Sequence, residues 1–345
     1  MKLADEAAHA IAAAFDLAKL PAEFYVDPFP FYAALREYEP IKPMPDGSYF
    51  LTRYSDVSFV YRNPKLFSSD KKQEFLPKFG DSPLYEHHTT SLVFNDPPLH
   101  TRVRRLIAGA LTPQAIAEMQ PGLATLVERL LDAMARKDDV DLIEDFAAAI
   151  PIEIIGNLLD VPGDERAPLR GWSLAILSAL EPTISTEAAQ RGNGAVTEFI
   201  DYLKQLVANR RRHPGNPKRD VLTRLIQGEA GGERLSEKEL LHNCIFLLNA
   251  GHETTTNLIG NALVALAQYP EEKQKLIDAP HLVESAVEEV LRFESSNQFG
   301  NRITTQSTEL AGVPMPEGTR VTLCIGAANR DSAQFDEPDR MNIAR

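Results

Sequence analysis

The run from Ser236 to Pro270 constrains the fold more than any other part of the chain. Ser236 followed by Glu239 is a capping-box pattern, in which each side chain satisfies a free backbone N–H at a helix start. Leu240, Leu241, Cys244, Ile245, Leu247 and Leu248 follow, and Leu258, Ile259, Ala262, Leu263 and Leu266 resume the pattern before Pro270 ends it. A helix of this length, at ~1.5 Å per residue, measures close to 50 Å and can cross a whole domain. Its residues are apolar on most faces, so it is expected to run through the core. Its centre, NAGHETTTN at 249–257, is built from residues that weaken it. Glycine in place of alanine costs about 1 kcal/mol and each threonine up to about 0.7 kcal/mol. Threonine hydroxyls also bond the carbonyl four residues back and bend helices. Gly251 and Thr254 therefore predict a local opening with a free carbonyl beside a small cavity. Glu253 adds a carboxyl to a segment that should be buried, which is expensive unless the group is paired or titrates in function. His252 and Glu253 begin a zinc-binding HExxH pattern, but Thr256 stands where the second histidine belongs. A cavity beside a kinked helix remains, with the Glu253 carboxylate and the Thr254 hydroxyl able to relay protons.

Helical patterns dominate elsewhere, for example over 114–136, 195–212 and 281–293. Strand-like pieces gather at SYFLTR (48–53) and over 301–326, where turn residues Gly312, Pro314, Pro316 and Gly318 punctuate alternating β-branched residues. A single, mainly α domain over 1–345 with a small β-sheet region is expected. The 49 acidic residues against 36 basic give a net charge of -13, which argues against a nucleic-acid partner. The basic cluster NRRRHPGNPKR (209–219) reads as a helix end and turn instead. Cys244 and Cys324 fall in no metal or redox spacing and suit a reducing cytosol. The N-terminal stretch lacks the basic region and apolar core of a signal peptide. No run approaches the ~18 apolar residues of a membrane span, so the expectation is a cytoplasmic protein with no membrane segment. No GxSxG elbow or phosphate loop supports a hydrolase.

Two further constellations give this helix its context. In FNDPPLHTRVRRL (94–106), His100 and Arg104 lie at i and i+4 on one helix face, where two charge-assisted donors can hold an anionic group. Arg102 and Arg105 read as a solvated basic face. In VEEVLRFESSNQFGNR (287–302), Glu289 and Arg292 lie at i and i+3, followed by Arg302. An ExxR pair alone means little, because such surface pairs are common and weak. The order HxxxR, AGxETT, ExxR, lone Arg, ANRD and PDR means much more.

From PFPFYAALREYEP to EPDRMNIAR the chain resembles the bacterial cytochrome P-450 family, the haem–thiolate monooxygenases. The resemblance implies an all-α haem domain that inserts one oxygen atom from O2 into a small organic substrate. It implies haem b as cofactor, a ferredoxin or flavin-containing electron donor, and a monomer. His100, Arg104 and Arg302 take the place of the residues that bind the haem propionates. Glu253 and Thr254 match the acid–alcohol pair that handles protons. Ala250 and Gly251 match the groove that accommodates dioxygen. Glu289, Arg292 and Arg340 match a buried structural triad.

The sequence also departs from the family pattern. Met341 replaces the usual Phe after PDR, a tolerable apolar exchange. Ser296 stands where a proline is common, and with Asn297 and Gln298 it suggests a more polar substrate pocket. The rest of that pocket is expected from 70–95, 172–190, the long helix and 296–300. The family's iron-ligating cysteine follows the PDR segment, and the sequence stops at Arg345 before such a loop. Cys244 and Cys324 read as small buried apolar residues instead. Because thiolate-type chemistry depends on that sulfur, the expectation is a C-terminally incomplete chain, inactive alone, with an apolar face open to water. The alternative is a non-catalytic binding protein that keeps the fold without the haem thiolate.

Overall fold

A computed structural model of the chain describes residues 2–181, 184–216, 220–228 and 233–345. It divides into two compact units, one of residues up to Ser69 with Asn261–Arg345, the other Asp70–Gly260.

The first unit holds the sheet. Strands β1 (Ile41–Pro43), β2 (Tyr49–Leu51), β3 (Phe67–Ser68), β4 (Phe299–Thr304) and β7 (Arg320–Cys324) assemble in the order β1-β2-β7-β4-β3. β5 (Thr308–Leu310) and β6 (Val313–Met315) form a separate hairpin. Ala311 and Gly312 at its tip have φ of 47° and 85°. Positive φ at both central residues suits the two-residue hairpin turn that matches strand twist. β2 and β7 are parallel, while β4 pairs antiparallel with β7 and sets Arg302 opposite Val321. One face of this unit packs Phe15, Phe24, Tyr32, Leu35 and Phe50, and another packs Val57, Val60, Phe67, Val321 and Leu323. On the helix Val283–Phe293, Val283, Val287 and Leu291 recur at i, i+4 and i+8 and are all exposed, an apolar stripe open to water.

The second unit is helical. The stretch expected as one helix over 114–136 is two, Pro113–Ala117 and Gln120–Met134, because Pro121 sits in the first turn of the second, where its missing N–H costs nothing. The helix expected from 195 starts at Thr186, where Ser185 accepts a bond from the Ala188 N–H at 3.1 Å and caps it. Gly192 lies inside that helix because a Cβ there would come 3.0 Å from Leu84 and 3.1 Å from the Ala175 carbonyl. The long helix runs Glu237–Gln268, and its start is the expected capping box: the Ser236 N–H bonds Glu239 at 2.9 Å and the Glu239 N–H bonds Ser236 Oγ at 3.2 Å. The helix ends at Gln268, just before Pro270, which also opens the following helix. Leu240, Leu241, Cys244, Ile245 and Leu248 pack into the unit's apolar core with Phe199, Leu203 and Leu222. Among the described residues no helix is long and apolar enough to cross a membrane.

Candidate functional site

The centre of the long helix stays helical, contrary to the expected opening. The Thr254 hydroxyl donates to the Ala250 carbonyl at 2.8 Å, so the oxygen that was to be free is satisfied by the side chain four residues on. Gly251 does not face open space. A Cβ there would come 2.6 Å from Ile155 Cδ1, so the glycine lets the helix Ala149–Leu158 pack closely. Ala250 and Thr254, one turn apart, are exposed, whereas Asn249, His252 and Thr256 are buried. The helix thus presents a small, smooth face at Ala250 and Thr254. Beside it Glu253 is half-buried, and burial, reinforced by the Glu181 charge, raises its carboxyl above the ordinary value.

In the same unit His100 and Arg104 lie on the helix Leu99–Ala110. Arg104 is exposed and makes no hydrogen bond or ion pair among the described residues, while His100 is partly covered. Arg102 is not the solvated residue expected. It pairs with Glu239 of the capping box and donates to the Arg234 carbonyl at 3.3 Å, which ties this helix to the start of the long one. Arg105 does lie in solvent, 3.4 Å from Glu233. In the first unit Arg302 projects from β4 with its guanidinium 4.9 Å from the centre of the Tyr61 ring.

Glu289 and Arg292 form a buried bidentate pair at 2.7 and 2.8 Å. Arg292 also donates to the carbonyls of Asn329 and Pro338 at 2.8 Å and of Arg340 at 3.3 Å. Burial alone would raise the Glu289 carboxyl, but the Arg292 and Asn342 hydrogen bonds and the Arg292 and Arg345 charges hold it below the ordinary value. The third member expected by resemblance needs correction. Arg340 contributes its carbonyl only, and its guanidinium lies in solvent 3.7 Å from Glu337. The guanidinium on Glu289 belongs to Arg345, at 3.1 Å. Two arginines five residues apart offer the same spacing logic, and only the path of the intervening chain separates them.

Asn297 is exposed, but Gln298 is not available as a pocket group. Its amide donates to the Ser295 carbonyl at 2.6 Å and accepts from the Tyr32 hydroxyl at 3.2 Å. Sequence reasoning also passed over a buried polar set in the second unit. His87 and His88 from the helix Pro83–Thr90 stand near His242, with ring centres 4.9 Å apart between His87 and His88 and 5.6 Å between His87 and His242. The signal was present: His242, Asn249, His252 and Thr256 recur at spacings of seven, three and four on an otherwise apolar helix.

Within the second unit, the residues present fit a flat macrocycle bearing carboxylates: Ala250 and Thr254 offer an uncovered face and Arg104 an exposed cation. They do not fit an iron thiolate. Cys244 and Cys324 are fully buried in apolar clusters, and burial pushes both thiols up to about 12, so each stays protonated. Among the described residues no three His, Cys, Asp or Glu side chains are arranged to hold a metal ion.

The architecture defines a mainly α protein built on one long helix that carries an acid and an alcohol side by side at its centre. The family model described as cytochrome P450 matches residues 172–345. The biotin biosynthesis cytochrome P450 of Bacillus subtilis (strain 168) is 33% identical over 326 residues, covering 94% of this chain and 81% of that protein. The vitamin D(3) 25-hydroxylase of Pseudonocardia autotrophica is 35% identical over 326 residues, covering 93% of this chain and 78% of that protein. The crystal structure of P450BioI in complex with a hexadec-9Z-enoic acid ligated acyl carrier protein superposes with a TM-score of 0.86 at 32% identity, covering 94% of this chain and 84% of that one. The chain belongs to the cytochrome P450 family, whose members are haem-dependent monooxygenases acting on small substrates with electrons from redox partners.

Proposed function

We propose that this protein takes part in inserting one oxygen atom from O2 into a small organic substrate on haem b, supplied with electrons by a ferredoxin or a flavin-containing protein. The observation that carries the reading is the pairing of a half-buried Glu253, its carboxyl raised by burial, with the Thr254 hydroxyl held on the Ala250 carbonyl. Haem, when bound, supplies the redox chemistry that activates dioxygen. Glu253 holds a proton on its carboxyl, and Thr254 Oγ1 places a hydroxyl one residue further along the exposed face. Ala250 keeps that face small enough for a diatomic molecule, and Gly251 supports it by letting the helix settle on Ile155. His100, Arg104 and Arg302 bind the propionates. Guanidinium groups suit that task because their planar donors match a carboxylate. Asn297 offers the substrate a hydrogen-bonding group at the wall of the pocket. The relative named as a vitamin D(3) 25-hydroxylase supports hydroxylation of a small organic substrate as the form the reaction takes. The protein works as a monomer in the cytoplasm.

Two buried, protonated cysteines favour a second reading for the 345 residues taken alone: haem binding without thiolate chemistry. An absorption spectrum of the purified chain, expressed with haem supplied and then reduced under carbon monoxide, tests both. A haem band without the thiolate-type carbon monoxide band is the expected result. A thiolate-type band would mean that Cys244 or Cys324 reaches the iron. The absence of any haem band would overturn the propionate roles of His100, Arg104 and Arg302.

A further inference from the structure

We infer that the buried face of the long helix carries a file of water molecules that conducts protons from Glu86 to Glu253. His242, Asn249, His252 and Thr256 share one side of the helix over about 21 Å at 1.5 Å per residue. All four are at least nine-tenths buried, at 4, 6, 1 and 6% exposure. Each carries a polar atom without a hydrogen-bond partner among the described residues: His242 Nδ1, Asn249 Oδ1, His252 Nε2 and Thr256 Oγ1. Two more such atoms face them, His87 Nδ1 from the helix Pro83–Thr90 and Arg170 Nε from the helix Ala167–Ser178.

Buried polar atoms without partners are rare in proteins, and six beside one helix form a pattern. Buried water resolves it, because each molecule makes about three hydrogen bonds to groups of this kind. The spacings suit a file. The His242 and His87 rings are 5.6 Å apart between centres, Asn249 Nδ2 is 3.5 Å from His87 Nε2, and His252 Nδ1 is 3.4 Å from Ser173 Oγ. At the outer end the Glu86 side chain is half exposed and lies 3.9 Å from His242 Nε2.

A neutral imidazole both donates and accepts, so it takes a proton on one nitrogen and releases another from the other. One proton enters at Glu86 from solvent and one arrives at the Glu253 carboxylate. No bond between heavier atoms changes, and no other reactant is needed. Glu253 lies one turn beyond Asn249 and three residues before Thr256, next to the file. Its other approach, past Ala250 and Thr254, is the face that haem and substrate cover in the proposed function. The destination of the file rests on that reading; its hydration does not.

The test uses the full 345-residue chain, labelled with nitrogen-15 and free of haem. Exchange of the imidazole N–H protons of His87, His242 and His252 with water is measured by nuclear magnetic resonance, and the Glu253 carboxyl is titrated by infrared spectroscopy. The expected result is rapid exchange at all three histidines. The backbone N–H of Leu203, fully buried in the middle of the helix Thr186–Arg212, exchanges slowly and serves as the dry reference. Asn249→Leu, which plugs the file midway, slows His252 by tenfold or more and leaves His242 unchanged. Asn249→Gln fills the same space with an amide and serves if the leucine variant does not fold. Exchange at His87, His242 and His252 as slow as at Leu203, with a titrating Glu253, overturns the water file alone. A wet file beside a Glu253 carboxyl that never takes a proton overturns the proton role on which both proposals rest.

Discussion

Acidification should destabilise the second unit through its buried histidines. Burial is the leading cause in each case. It lowers His88 to about 3, with help from the Lys78 and His242 charges, and His242 to about 4, where Glu86 opposes and Lys238 adds to the effect. It lowers His252 to about 4, with help from Arg170, and drives His87 well below its ordinary value, with His88 and His242 adding to it. Each folded value lies below the unfolded value of 6.5, so between them the unfolded chain binds more protons and stability falls as pH falls. At ~1.36 kcal/mol per pKa unit, moving from about pH 7 to about pH 5.5 costs about 1 kcal/mol for each of His88, His242 and His252, or about 3–4 kcal/mol together. His87 adds in the same direction. The raised Glu253 and Glu294 carboxyls act oppositely, at lower pH, because there the folded state binds protons more readily than the unfolded. Against a total stability of ~5–15 kcal/mol the loss is large. Urea unfolding followed by circular dichroism at the two pH values measures it, and His88→Leu should remove about a quarter of the change, one of four lowered histidines. Equal or greater stability at the lower pH would refute the picture of imidazoles that the folded chain holds neutral.

Three further outcomes follow from the contacts. Arg292→Ala breaks the bidentate pair and three carbonyl bonds around a buried carboxylate, and should cost about 3–5 kcal/mol in urea unfolding; Arg345→Ala should cost more than Arg340→Ala, and the reverse order would restore Arg340 as the third partner. Gly251→Ala gains about 1 kcal/mol of helix propensity but drives a Cβ to within 2.6 Å of Ile155 Cδ1, so a net loss is expected that Ile155→Val relieves; a stabilised single variant would show that the packing yields. Glu239→Ala removes both the capping bond to the Ser236 N–H and the Arg102 ion pair, and should cost about 1–2 kcal/mol by thermal unfolding; a cost no larger than that of Ser236→Ala would mean that the Arg102 pair adds nothing.

Much of the architecture was legible because it rests on local chemistry. The capping box at Ser236 and Glu239, the turn residues Gly312 and Gly318, and the alternation over 301–326 each determine structure within a few residues. The helix expected over 195–212 begins at Thr186, and Gly192 fits inside it because Leu84 and the Ala175 carbonyl lie against it, a contact no local pattern carries. The same limit applied to Arg340, Arg345 and Gln298. Which arginine reaches Glu289, and whether an amide faces the pocket or Tyr32, depends on how distant segments fold back.

The expected opening of the long helix is the most instructive difference, because the costs behind it are real. Gly251 and the threonines do weaken an isolated helix, but here both weaknesses are met in place. The Thr254 hydroxyl occupies the very carbonyl whose release was expected, and the missing Cβ of Gly251 admits Ile155. Leu240, Leu241, Ile245 and Leu248, buried on the N-terminal side, hold the helix in the core whatever its centre prefers. Propensities of about 1 kcal/mol per residue set the shape of a free helix, while burial of ~1.5–3 kcal/mol per large apolar side chain sets that of a packed one. A weak centre in a well-anchored helix therefore marks where a side chain of ordinary size or chemistry does not suit, and a kink is only one way to meet that demand.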